Sequence, residues 1–183
     1  MPHVVVGART DVGHHRSLNE DALLVGERVW VVADGMGGHA AGDVASSLAV
    51  QSLRALDGGD DLAPADVPVA VERTNDALVD YGSEHPEARG MGTTVTGLAE
   101  VSIAAVPHWV VFNVGDSRTY RYVGGELRRL TVDHSEVEEL VAQGLIDADE
   151  ACVHPARHII TRSVGMRPTP TVDVWLLPET AGE

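Results

Sequence analysis

The stretch ADGMGGHAAGD, residues 33–43, decides how this chain is read. It follows the apolar run Val29-Trp30-Val31-Val32-Ala33, which reads as a buried strand. Asp34 therefore puts a carboxylate at a strand end, beside the core. An unpaired charge there costs several kcal/mol or more. A partner for Asp34 is expected, and the glycines after it allow close backbone approach.

Three readings compete for this loop. In the first, the glycines simply make a tight turn. In the second, GMGGHA (35–40) fits the loose dinucleotide-binding pattern between a strand and a helix. Asp34 would then face a pyrophosphate with the same sign of charge, so this ranks below the turn. In the third, Asp34 binds a hard cation and the Gly35 carbonyl joins the coordination. That reading requires further carboxylates to converge. RSLNED (16–21) supplies Glu20 and Asp21 before a second strand. NVGDSR (113–118) places Asp116 after another apolar run, again beside a glycine.

The rest of the chain bounds the setting. Its 183 residues, 44% of them hydrophobic, suit a single domain with a sizeable core. The net charge is −15, and all thirteen basic residues are arginines. Such a balance argues against nucleic-acid binding through a broad basic surface. It fits a soluble acidic surface, or a carboxylate cluster that attracts cations. No apolar run approaches a membrane span, and the N-terminus shows no export signal. With Cys152 as the one cysteine, no internal disulfide forms; a cytoplasmic location is expected.

The periodicity predicts strands at residues 3–9, 21–25 and 29–33, then helices at 42–56 and 67–83. Further strands are predicted at 93–99, 101–106, 109–114, 117–123, 126–130 and 171–177. Ser135 and Glu138 read as a capping box opening a short helix. Residues 145–165 are mixed and carry no clear assignment. The order predicts an α+β fold with helices packed on largely antiparallel sheets.

Five stretches now stand in order: RTDVGHHRSLNED (9–21), VVADGMGGHAAGDVAS (31–46), GMGTTVTG (90–97), NVGDSRTYRY (113–122) and LTVDHS (130–135). Together they resemble the bacterial form of the metal-dependent serine/threonine protein phosphatases of the PP2C (PPM) family. The resemblance covers nearly the whole chain. It implies an α-β-β-α sandwich of two mainly antiparallel sheets flanked by helices, as one domain over residues 1–183. It implies Mg²⁺ or Mn²⁺ as cofactor, two ions with a third in bacterial members. The implied substrates are phosphoserine and phosphothreonine in proteins, with serine/threonine kinases as functional counterparts and a monomeric enzyme.

The resemblance also implies roles. Asp34 bridges two metal ions and Gly35 gives a carbonyl to one of them. Glu20 and Asp21 support the centre, Asp116 holds the third ion, and Arg16 holds the substrate phosphate. Two divalent ions roughly 3.5–4 Å apart activate a water for attack on phosphorus, so no protein nucleophile is needed. The planar fork of Arg16 suits a phosphate. Cys152 reads as structural. Met36 stands where many relatives outside bacteria have a histidine, and His39 does not inherit that role. His14 and His15 fall near the site, and His134 begins the family's flap, residues 134–162. The chain stops at PETAGE (178–183), before the serine-aspartate-glycine and aspartate-asparagine motifs that carry two further metal ligands. The resemblance is thus to a C-terminally truncated domain lacking the last strands. Beside the phosphatase stands an alternative expectation, a catalytically impaired remnant that binds phosphoproteins or a partner.

Overall fold

A computed structural model of the chain describes residues 4–37, 41–58 and 62–178. Strands β1 (Asp21–Val25) and β2 (Val29–Met36) form the predicted hairpin. Helices α1 (Ala41–Leu53) and α2 (Asp66–Glu84) follow. The short β3 (Gly92–Thr93) precedes β4 (Val95–Ile103) and β5 (Val106–Val114). A second hairpin joins β6 (Tyr120–Val123) to β7 (Glu126–Arg129). Helices α3 (Glu136–Ala142) and α4 (Ala148–Val153) then lead to β8 (Asp173–Pro178).

The main sheet has six strands in the order β1-β2-β4-β5-β8, with β3 paired to the end of β2. Every pairing in it is antiparallel. One face carries Val29, Val31, Ala33, Val110 and Phe112, all buried under α1 and α2. On α1 the contact stripe includes Ala45 and Ala49, both fully buried. Their small side chains let the helix lie close to β2. Phe112 is also fully buried, and burying such a ring contributes roughly 1.5–3 kcal/mol. The opposite face carries Trp30, Val32 and Leu98, and Val32 remains 42% exposed. Among the described residues the second sheet is the hairpin β6–β7 alone.

The α+β class with antiparallel sheets and outer helices matches the sequence reading. Several boundaries differ for physical reasons. Residues 4–9 are exposed and irregular where a strand was predicted; apolar alternation does not suffice without a neighbouring ladder for the backbone. The predicted break near Glu100 is absent, because β4 continues to Ile103 and pairs with Val106. The two-residue turn uses Ala104 and Ala105 at φ of 50° and 63°. Left-handed alanines carry no glycine or asparagine signal, so the turn was invisible in the sequence. Ser135 does cap α3, accepting from the Glu138 amide. The Glu138 carboxylate turns to Arg129 instead of completing the box. The complete box is Asp147 with Glu150, which opens α4 inside the unassigned segment.

Asp57 has a local task. Its carboxylate accepts from the amides of Glu27, Arg28 and Val29. It thereby pins the β1–β2 turn to the 3₁₀ segment Arg54–Gly58 that follows α1. A side chain at Gly26 would collide with that carboxylate.

Candidate metal centre

The hairpin register brings the first acids together. Asp21 pairs with Asp34 across β1 and β2, so both side chains leave the same sheet face at the same end. The Gly35 amide donates to the Glu20 carbonyl at 3.0 Å and extends the pairing by one residue. No other residue fits at 35: an added Cβ would collide with the Gly42 carbonyl in the first turn of α1. The side chain of Glu20 lies against Gly42 in turn. The helix N-terminus there favours a negative charge. Arg16 Nη1 donates to Glu20 Oε2 at 2.6 Å, while its own side chain is 73% exposed.

Asp116 arrives from the other side of the sheet centre, on the loop after β5. Gly115 turns that loop at φ 111°. The connection to Asp34 runs through threonines that the sequence reading did not single out. The Asp34 amide donates to Thr94 Oγ1 at 3.1 Å. Thr94 Oγ1 in turn lies 2.7 Å from Ser117 Oγ. Thr93 Oγ1 donates to the Asp34 carbonyl at 2.9 Å. The signal available in the sequence was GTT directly before an apolar strand. Its meaning needed the β2–β3 register, which sets Gly35 opposite Thr93.

The electrostatics of Asp34 follow from this crowding. Its carboxyl pKa is raised above the ordinary value, first by desolvation and then by the charges of Asp21 and Asp116. Arg16 pulls it down and Glu20 pushes it up. All the acids named from the sequence therefore act on one carboxylate. They do not form a closed cage: among the described residues, no three His, Cys, Asp or Glu side chains converge tightly enough to hold an ion by themselves. The donors present are oxygens, which suit hard divalent cations that keep part of their water.

The remaining candidates are dispersed. His14 and His15 are exposed. His134 is buried, 4% exposed, and bonded within the protein. Met36 is half-buried beside Gly92. Cys152, read as structural, is exposed on α4, its Sγ bonded to the Ala148 carbonyl at 3.3 Å. His39 lies outside the described residues, as do residues 59–61 and 179–183. No helix among the described residues is long and apolar enough to cross a membrane.

An antiparallel sheet flanked by helices, with Asp21 and Asp34 side by side at one end of its first hairpin, defines an α+β fold with an acidic cluster at a sheet edge. Residues 12–161 match the family model described as protein phosphatase 2C, and the chain belongs to that family. It is 42% identical over 161 residues to the serine/threonine protein phosphatase PstP of Mycobacterium tuberculosis. That alignment covers 86% of this chain but 30% of the relative's length. Among solved structures, serine/threonine phosphatase Stp1 from Staphylococcus aureus superposes with a TM-score of 0.82 at 32% identity. The match covers 96% of this chain and 74% of that one. The catalytic domain of PstP, solved in complex with two manganese ions, superposes at 0.77 with 37% identity, over 92% of this chain and 70% of that one.

Proposed function

We propose that the chain carries the phosphoserine/phosphothreonine hydrolysis of its family, acting on phosphorylated proteins in the cytoplasm as a monomer. The observation that supports this most directly is the register of Asp21 against Asp34, with Glu20 and Asp116 raising the same carboxyl group. Such a carboxylate is poised for a cation, and the manganese held by PstP indicates the class. Asp34 and the Gly35 carbonyl are the inner ligands in this reading; Glu20 and Asp21 support them, and Asp116 serves an outer third position. Mn²⁺ or Mg²⁺ ions held by these residues would supply positive charge and would make a water more acidic. The protein's own share is placement. The β1–β2 register fixes Asp34, Thr94 holds its amide, and Arg16 turns from Glu20 to a substrate phosphate. Its side chain is exposed, which leaves the guanidinium open to solvent and to a phosphate.

The test is release of phosphate from a phosphothreonine peptide with Mn²⁺. Asp34→Asn should lower the rate by about 100-fold or more, the upper end of what even outer-shell partners contribute at metal sites. Equal rates in the two proteins would sink the mechanism. A second reading, a module that binds phosphoproteins without turning them over, is supported by the open donor set. It predicts Arg16-dependent phosphopeptide binding with no phosphate released.

A further inference from the structure

The flap begins at His134, well after β7, and ends near Thr161, and its base is tightly tied. The Thr161 amide donates to the His134 carbonyl at 2.9 Å, and Ser135 bridges Ile160. The two residues at the point of departure also reach back to the loop that carries Asp116. The His134 amide donates to the Gly115 carbonyl, and the Gly115 amide donates to His134 Nδ1 at 3.0 Å. One position earlier, the Asp133 carboxylate, 6% exposed, receives the Arg118 guanidinium through Nε at 3.0 and 2.9 Å. Gly115 and Arg118 bracket Asp116. Asp116 thus sits in a short loop clamped on both sides by consecutive residues of the flap's root.

The imidazole also has a fixed tautomer. Nδ1 accepts from an amide, so the proton is on Nε2. Nε2 then donates to Asp173 Oδ2 at 3.1 Å, on β8. Arg162, at the flap's far end, donates to the other oxygen of Asp173 at 3.1 Å. The 3.2 Å approach of Arg162 to Nε2 is therefore two donors converging on one carboxylate, not a bond between them. His134 touches the Asp116 loop through one nitrogen and, through Asp173, the flap's far end through the other.

We propose that Asp133 and His134 are positioning residues for Asp116, making the flap root and the outer metal position one mechanical unit. The metal side of this rests on the reading of Asp116 given above; the positioning itself does not. A flap displaced by a bound phosphoprotein would shift Asp116, and an ion held by Asp116 would steady the flap root.

Two substitutions separate the nitrogens. His134→Asn keeps an acceptor where Nδ1 lies and loses the contact with Asp173. His134→Gln keeps a donor toward Asp173 and loses the acceptor for Gly115. Hydrogen exchange of the metal-free proteins is the first readout. In His134→Gln the Gly115–Ser117 amides should exchange roughly tenfold faster, the effect of one lost hydrogen bond. In His134→Asn they should stay protected. Asp133→Asn opens the other side of the loop and should speed exchange at Ser117–Thr119, which keeps the test alive should His134→Gln fail to fold. Mn²⁺ titration by calorimetry is the second readout. The weakest binding step should weaken about tenfold in His134→Gln, the lower end for outer-shell partners, and remain unchanged in His134→Asn. Equal exchange in Gln and Asn variants, or an unprotected Gly115 in the parent chain, overturns the proposal. A parent chain that binds no Mn²⁺ overturns the metal reading instead, and the exchange comparison still decides the positioning.

Discussion

The site's two halves are built differently. Asp21 and Asp34 sit on paired strands under α1 and α2, which bury seven and six residues respectively. Asp116 sits on a loop steadied by a flap whose helices α3 and α4 bury none. The inner half is held by a backbone ladder and a packed core. The outer half is held by side-chain bonds and a single backbone bond from His134 to Gly115, each of modest net value. Position is therefore stiff at Asp21 and Asp34 and adjustable at Asp116.

This contrast can be broken by mutation. The largest effect should come from Phe112→Ala, which empties a fully buried site on the strand just before the Asp116 loop. A loss of about 3–5 kcal/mol is expected, read as a lower urea midpoint. If the loss were under 1 kcal/mol (small on the ~3–5 scale), the core would not be what anchors the inner half.

Asp34→Asn in the metal-free chain should act in the opposite direction. The folded-state pKa of Asp34 is raised, so ionised Asp34 destabilises the fold above that pKa. The penalty fades as pH falls through it and vanishes below the unfolded value. Asn should therefore raise the melting temperature at neutral pH, by less than Phe112→Ala lowers it. The advantage should shrink on acidification into the carboxylate range. A metal-free chain destabilised by this change at pH 7 would mean that Asp34 has a structural partner.

The smallest effect belongs to the flap. Val153, at the end of α4, is 78% exposed, and Val153→Ala should change stability by no more than about 0.5 kcal/mol. A larger loss in thermal unfolding would reveal a contact that buries this valine.

What the sequence revealed follows the same division. The β1–β2 hairpin and both long helices were legible because burial enforces periodicity, and the acids at 20, 21, 34 and 116 were noticed beside apolar runs, although Asp34 lies within β2 rather than at its end. Thr94 and Asp133 were not. Their tasks depend on which backbone amide or guanidinium comes alongside, and only the register across β2–β3 and the return of the flap determine that. His134 was noticed as a flap residue, but its bonds to Gly115 and Asp173 join segments 19 and 39 residues away. The turn at Ala104–Ala105 escaped because the long β4–β5 ladder overrides the residues' own preferences. Asp57 was not legible either, because the hairpin amides it serves lie 28 to 30 residues earlier in the chain.

The sheet's second face gives the chain a built-in optical probe. Trp30 pairs with Leu98, Leu98 with Val111, and Val111 with Trp175. Trp109 lies two residues from Val111 on the same strand, with its ring centre 5.9 Å from that of Trp30. All three tryptophans of the chain thus project from one side. The Trp30 indole nitrogen is buried without a hydrogen-bond partner. Intrinsic emission consequently reports on the surface away from α1 and α2. Anything that settles over that face will register as a change in colour, while events confined to the helical layer leave the signal nearly silent.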